Sequence, residues 1–223
     1  MHDLSTRYAL FTRLPLFQGI GSTELLNWEE ALKLDIDELS ASKYPIIRQG
    51  DNCSQMLWLV EGELLREHQS SDEKYVCHSI LRGPNLIEVD RLFGLNPTYE
   101  HTYRPKTDIK ILSIRKSLVN SHLMKSEVFR LNLLNTLSAI SQKRAVALQP
   151  CQLTGVEEQL KHFICTLFPN CEGEVELYIQ MKELARYIGV SRLSVSQLLN
   201  RWNEEGRIRL GREHFTIHDI KTL

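Results

Sequence analysis

Apolar positions recur along this chain with two different periods. Toward the C-terminus the period is helical. Val195, Leu198, Leu199 and Trp202 fall three and four residues apart and give one helix a single buried face. A shorter helical pattern precedes it, and the two meet at Ile188-Gly189-Val190-Ser191. Ala185 is small where the two helices would cross, and Gly189 can take a left-handed turn without steric cost. Upstream, Val156, Leu160, Phe163, Ile164 and Leu167 line one side of a helix over Gly155–Phe168, and Val175–Ile179 reads as a small strand after a loop over Asn170–Gly173. Gly206 follows Glu204-Glu205 as a left-handed helix end. Ile208-Arg209-Leu210 and His214–Ile217 alternate as a two-stranded wing turning at Gly211-Arg212. The pattern predicts a helix-turn-helix with a wing, against the plainer alternative of a helical hairpin with a solvated polar face.

From Asp35 to Ile114 the period shortens. Ile46-Ile47, Met56–Val60, Glu63–Arg66, Tyr75–Leu81 and Ile109–Ile114 are β-like runs separated by Gly, Asp, Asn and Pro turns. Ile109, Ile111 and Ser113 alternate with Leu112 and Ile114. Such a series predicts an antiparallel sandwich or barrel, either a packed core or a holder of one small ligand. Ahead of it, Leu14-Pro15-Leu16-Phe17 breaks a first helix, and Ser22 is placed to cap a second over Thr23–Leu32. After it, no Gly or Pro occurs between Pro105 and Pro150. Ser117 is a candidate cap for a short helix. A longer helix over Ser126–Leu148 would span ~34 Å at ~1.5 Å per residue. Phe129, Leu133, Leu137 and Ile140 form its apolar stripe, extended by Arg144 and Ala147.

Composition adds limits. The chain is 223 residues long, 42% hydrophobic and 25% charged, with net charge −1. Two domains are expected at this length. No apolar run reaches the ~18 residues of a membrane span, and Asp3, Arg7 and Arg13 interrupt any signal-peptide core, so a cytoplasmic protein is expected. Five cysteines (Cys53, Cys77, Cys151, Cys165, Cys171), never at C-x-x-C spacing, read as reduced thiols and not as a structural zinc site. Charge is uneven: Ile179–Arg212 holds seven Lys/Arg against three Glu, whereas Cys151–Tyr178 holds one Lys and five Glu. That local basic field suits nucleic acid. No metal, cofactor or catalytic residue is expected. His68, His78 and His101 are scattered and do not form a barrel metal motif.

Several segments in order carry a resemblance: LPLFQGI, IIRQGD, LWLVEGEL and LFGLNPTYEHTYRPKT, followed by the winged helix-turn-helix. Together they resemble the Crp/Fnr family of bacterial transcription regulators over nearly the whole chain. The resemblance implies an α+β protein with an N-terminal antiparallel, jelly-roll-like β-roll, a long dimerisation helix and a C-terminal winged helix-turn-helix. The boundaries would fall at 1–115, 116–149 and 150–223, with Pro150 at the hinge. It also implies a homodimer on palindromic promoter DNA, with RNA polymerase a further candidate partner and no membrane. The long helix would pair its stripe with a twin; the alternative is that this stripe packs on the chain's own β-roll.

At the effector site the chain departs from the cyclic AMP pattern. Binding members carry a Gly-Glu pair, then Arg-Ser about ten residues on. Glu88 matches the Glu, but Ile87 stands at the Gly and Tyr99-Glu100 near the Arg-Ser. A phenol and a carboxylate do not supply the planar fork that binds a phosphate. The helix positions nearest the ligand base, Ala145-Val146-Ala147, carry no hydroxyl. The expected protein therefore does not bind cyclic AMP in the usual way. Glu88, Arg91, Tyr99, Glu100, His101 and Arg144 are candidates for a different, unidentified effector. The plainer reading of Glu88, Tyr99 and His101 is a solvated loop. Arg144 would need water or an acid such as Glu88, Asp90 or Glu100. No cysteine precedes Cys53, which excludes the N-terminal cysteine set of the iron–sulfur sensors. Cys77-His78 only faintly echoes haem ligation, since adjacent strand residues face apart.

Candidate DNA contacts are Ser191, Arg192, Leu193, Ser194, Ser196, Gln197, Asn200 and Arg201 on the recognition helix, with Arg207, Arg209 and Arg212 on the wing for phosphates. Arg192 matches the first Arg of the family's familiar reading head, while Leu193 and Gln197 replace its Glu and second Arg. Arg192 suits guanine, Gln197 adenine and Leu193 a thymine methyl. A changed, A·T-richer half-site follows. The competing functions are a small-molecule-binding β-barrel without DNA function and a regulator that needs no ligand.

Overall fold

The computed structural model describes residues 9–32, 36–148, 155–169 and 173–220. The expected hinge at Pro150 lies outside these residues, as do Cys151 and Cys171. Packing divides the chain into two compact units: residues 1–65 with 81–140, and residues 66–80 with 141–223. The boundaries at 115 and 149 read from sequence do not coincide with this division, which is discontinuous and places a hairpin tip with the C-terminal residues.

The first unit begins with helix α1 (Ser22–Leu32). Strands β1 (Ile36–Leu39), β2 (Gln55–Glu61), β3 (Glu63–Gln69), β4 (Tyr75–Arg82), β5 (Asn85–Ile87), β6 (Thr102–Pro105) and β7 (Ile109–Arg115) follow. One sheet runs β1-β7-β2-β5 with antiparallel neighbours throughout. Strands β1, β5 and β6 escape a pattern reading for physical reasons. β1 is an edge strand exposed along most of its length, β5 has three residues, and β6 ends on a proline. Ile46-Ile47 makes no strand; Ile47 forms a single bridge to Tyr103. The alternation expected along β7 is also absent. Ile109, Ile111, Leu112 and Ile114 are all buried, because this strand has a neighbour on each side and packed side chains on both faces. The β2-to-β3 turn needs glycine: Gly62 has φ +91°, and a Cβ there would lie 2.4 Å from the Asp108 carbonyl.

The proline-broken segment near the start is part of this core. Leu14, Leu16 and Phe17 are buried, and the Pro15 carbonyl accepts a 2.8 Å bond from the Trp58 indole. Phe17 lies within about ring-contact distance of Trp28, Trp58 and Phe129, at 6.1, 5.2 and 6.0 Å between centroids.

Helix α2 (Lys116–Ser121) starts one residue before its expected cap, so Ser117 sits inside the first turn and Arg115 occupies the cap without a side-chain bond. The long helix α3 (Glu127–Ala147) is capped by Ser126, whose hydroxyl accepts from the Phe129 amide at 3.3 Å. Its apolar stripe corrects an expectation. Phe129 and Leu133 are buried in the β-roll core, and Leu137 and Ile140 pack against it. Asn132 fastens the same side by donating to the carbonyls of Leu16 and Gln18 at 3.1 and 2.8 Å. Phe129 and Leu133 thus cover the chain's own β-roll, with Leu137 and Ile140 partly buried against it. A different line of residues is exposed: Leu131, Leu134, Ser138, Ser141 and Ala145, reaching Leu148 just past the helix end.

The second unit contains helix α4 (Val156–Leu167), strand β8 (Val175–Ile179), helices α5 (Met181–Ile188) and α6 (Arg192–Glu204), and strands β9 (Ile208–Gly211) and β10 (His214–Ile217). β8, β10 and β9 form an antiparallel sheet. Leu160, Ile164, Leu177, Leu184, Val195, Leu199, Trp202, Phe215 and Ile217 fill its core. On the other side of β8 the sheet continues into β4, with Tyr75 opposite Ile179, Cys77 opposite Leu177 and Ser79 opposite Val175. Cys77 is buried among the apolar residues of this second core.

Candidate nucleic-acid interface and sensor site

Helix α5 ends at Gly189, whose φ of +71° lets the chain turn sharply and brings the Val190 amide onto the Ala185 carbonyl at 3.0 Å. Ala185, Leu184 and Ile188 are buried where α5 meets α6. Ser191 then caps α6: its hydroxyl accepts from the Ser194 amide at 3.0 Å and contacts the Ser194 hydroxyl at 2.7 Å. Val195, Leu198, Leu199 and Trp202 bury one face of the helix. Burying each large side chain contributes roughly 1.5–3 kcal/mol, enough to fix which face looks outward.

That outward face carries Arg192, Leu193, Gln197 and Asn200, all exposed, with Ser194 and Ser196 half-buried at its flanks. Leu193 is 67% exposed. Positions 192, 193, 196, 197 and 200 repeat at helical spacing, so their side chains share one surface. The wing exposes Arg209 and Arg212. Its turn is tight because Gly211 lies against the His214 ring, where a Cβ would come within 2.1 Å of the imidazole. The left-handed residue of this turn is Glu213, with φ +59°.

Arg201 and Arg207 are otherwise engaged. Glu157 on α4 accepts a hydrogen bond from each of them and an ion pair from Lys161 at 3.0 Å. Arg207 also lies over the Trp202 ring at 4.7 Å. These guanidiniums tie α4 and α6 to the residue ahead of the wing; from the sequence, Arg201 is expected on the DNA-facing side of α6 and Arg207 at a phosphate. Lys161, and after it Arg207, hold the Glu157 carboxyl down at about 2. Ser191 is likewise committed to its capping bonds.

At the candidate effector site, Glu88 stands at φ +39°, a left-handed position that a non-glycine residue occupies at a cost of roughly 1–2 kcal/mol. The turn directs its carboxylate inward, where the side chain is only 8% exposed. It accepts from the Glu100 amide at 2.6 Å and the Tyr103 hydroxyl at 3.1 Å, and meets His101 Nδ1 at 2.6 Å. Hydrogen bonds to a charged group contribute about 1.5–3 kcal/mol each, so the network offsets the backbone strain. Arg91 donates to the Glu100 carboxylate, and Asp90 lies 3.7 Å from its Nε. Tyr99 is buried, and burial raises its phenol well above the ordinary range, with Cys53 beside it adding to the shift. The solvated-loop reading of Glu88, Tyr99 and His101 is therefore corrected: Glu88 and His101 join in a part-buried network with Tyr103, and Tyr99 is buried beside Cys53. Ile87, in place of a glycine, is itself buried at the end of β5. Arg144 is half-buried on α3. Among the described residues no group of three His, Cys, Asp or Glu side chains gathers as a metal site, and no helix is long and apolar enough to cross a membrane.

Residues 158–223 match the family model of the Crp-like helix-turn-helix domain. No curated protein matches the sequence. Among solved structures, the chain is similar to the catabolite activator protein of Thermus thermophilus at 20% identity and TM-score 0.52, covering 93% of this chain and 95% of that one. It is similar to a putative Crp/Fnr-family transcriptional regulator of Eubacterium rectale at 17% identity and TM-score 0.51, covering 95% and 96%. It is also similar to the sensor domain of the transcriptional regulator DNR from Pseudomonas aeruginosa at 17% identity and TM-score 0.53, covering 69% of this chain and all of that one. At these identities the structural likeness speaks to the fold.

Proposed function

We propose that this chain is a cytoplasmic, homodimeric transcription regulator of the Crp/Fnr type that reads a palindromic promoter site without cyclic AMP, a reading supported by its Crp-like helix-turn-helix domain and its fold. The observation that carries this reading is the exposed face Arg192-Leu193-Gln197-Asn200, presented over the buried Val195, Leu198, Leu199 and Trp202. Arg192 offers the fork for guanine O6 and N7, Gln197 a bidentate pair for adenine, and Leu193 an apolar contact for a thymine methyl. Arg209 and Arg212 supply phosphate contacts from the wing. Promoter DNA, a second copy of the chain and RNA polymerase are the partners this role requires.

The dimer seam in this reading is the exposed line Leu131, Leu134, Ser138, Ser141, Ala145 and Leu148. These positions alternate three and four residues apart, the spacing of a coiled-coil seam. The small residues in the middle of that line would let two helices approach closely.

Independence from cyclic AMP is supported by the sensor site. The Glu88 carboxylate, matched by position to a ribose contact, is already occupied by Glu100, His101 and Tyr103, and Arg91 is occupied by Glu100. This internal saturation also favours a second reading, a regulator that works without an effector. Selection of bound duplexes from a random pool, with and without extract metabolites, tests the function. A palindrome with A·T pairs opposite Leu193 and Gln197 is expected. Recovery of no preferred duplex under either condition would overturn the proposal, and micromolar cyclic AMP binding by calorimetry would overturn the claim about the sensor.

A further inference from the structure

The tip of the β3-β4 hairpin, residues 66–80, groups with the helix-turn-helix residues although it lies within the sequence of the β-roll. Five consecutive residues of β4 pair with five of β8, from Tyr75 opposite Ile179 to Ser79 opposite Val175. Side chains on both faces of this seam join in. Cys77 enters the core beside Leu177. Tyr75 meets the rings of Phe163 on α4 and Tyr187 on α5 edge-on, at 6.1 and 5.5 Å, while those two stack at 5.5 Å. On the opposite face His78 sits between Glu67 of β3 at 3.1 Å and Glu176 of β8 at 3.5 Å, with its ring 4.8 Å from Tyr178. At the hairpin turn Asp72 accepts from the Tyr187 hydroxyl at 2.6 Å.

We infer that the β3-β4 hairpin is a working strand of the DNA-binding domain, a docking element that presets α5 and hence the reading helix for DNA. The inference rests on the DNA-binding reading above. A winged helix-turn-helix sheet that ended at β8 would present a bare edge of N–H and C=O groups. β4 closes that edge. Asp72 and Tyr75 then clamp Tyr187 two residues before the Gly189 turn, from which α6 departs. Within the second unit the hairpin contributes Cys77 to the core. The docked hairpin leaves Arg192, Leu193, Gln197 and Asn200 exposed, which is compatible with DNA binding and speaks against a blocking role. Without it, the ordering of β8 and α5 would be charged against DNA binding.

The test uses the full chain and the duplex selected by the unmodified protein. Tyr187→Phe removes the hydroxyl bond to Asp72 and keeps the stacked ring; Tyr75→Ala removes the ring contacts. Both should speed amide exchange in β8. Tyr75→Ala should weaken DNA binding roughly tenfold, and Tyr187→Phe should weaken it less. The salt dependence of binding should stay unchanged, since no phosphate contact is removed. A staple, Val76→Cys with Tyr178→Cys on directly opposed residues, is made with Cys151, Cys165 and Cys171 replaced by Ser. It should form on mild oxidation and leave affinity within about twofold of the reduced form. A staple that abolishes DNA binding would show that the pairing belongs to a resting state and overturn the inference. So would a staple that fails to form in the native protein, or variants that change neither exchange nor affinity. If the unmodified chain selects no duplex, it is the proposed function that fails, and the exchange and cross-linking results still decide whether the hairpin is docked.

Discussion

Two residues, one in each unit, define the chemistry of the chain. Arg192 begins α6 with an exposed side chain, whereas Arg201, nine residues on, is tied to Glu157 and Glu205. Removing Arg192 should therefore act on base recognition. Arg192→Ala is expected to cost roughly 1–3 kcal/mol and to relax a single base position, measured by repeating the duplex selection with the variant. A uniform loss over all sequences would instead make it a phosphate contact. Glu88 is the other case. Its carboxylate is met by two donors and a histidine in a strained left-handed turn. Glu88→Gln keeps the shape and removes the charge, and a loss of about 1–3 kcal/mol is expected. The urea midpoint should fall at unchanged slope, with no cyclic AMP affinity gained. An unmoved midpoint would mean that the carboxylate is solvated after all.

At the scale of the element, α3 shows what an apolar stripe can and cannot say. Phe129, Leu133, Leu137 and Ile140 announce a buried face by their spacing alone, but spacing does not name what covers it. The covering surface is the β-roll, through Phe17, Trp28 and the carbonyls of Leu16 and Gln18. The two faces separate by mutation. Leu133→Ala should destabilise the fold by about 2–5 kcal/mol and leave the oligomeric state alone. Leu134→Glu, on the 60% exposed neighbour, should leave the thermal midpoint of the fold nearly unchanged and shift the protein to monomer in analytical ultracentrifugation. If Leu134→Glu sediments as the unmodified protein does, the seam lies elsewhere. The same distinction governs what was readable elsewhere. The helix-turn-helix was legible because its determinants are local: Ala185, Gly189 and the Val195-to-Trp202 face lie within a few turns of one another. The strand Val175–Ile179 and the wing were legible for the same reason. The edge strand Ile36–Leu39 was not, since four mostly exposed residues carry no alternation. The pairing of β4 with β8 was not either, because two strands about a hundred residues apart leave no mark on each other's sequence. The interior position of Glu88 was hidden too, since it depends on a backbone angle.

Across the whole molecule the charge is nearly balanced, and what matters is where opposite charges meet. The glutamates upstream of the recognition helix do not simply oppose its basic surface; one of them organises it. Glu157 on α4 gathers Lys161, Arg201 from α6 and Arg207 ahead of β9, so a single carboxylate joins three elements of the second unit. Its partners hold it near about 2 against an ordinary value of 4.5. A carboxyl lowered by folding contributes stability that is fully present above its unfolded value and is lost as pH falls through its folded one. The second unit should therefore weaken between about pH 4.5 and about pH 2 through this group. Trp202 reports on that unit, while Trp28 and Trp58 lie in the first core. Glu157→Gln should lower the acid sensitivity of the Trp202 signal over that interval and lower its thermal midpoint at neutral pH, leaving the signal from the β-roll tryptophans in place. Single-tryptophan variants followed by fluorescence during acid titration separate the two. Equal acid sensitivity with and without Glu157 would show that the cluster is screened by solvent, as exposed ion pairs often are, and that the three elements are held together by the Val195-to-Trp202 core alone.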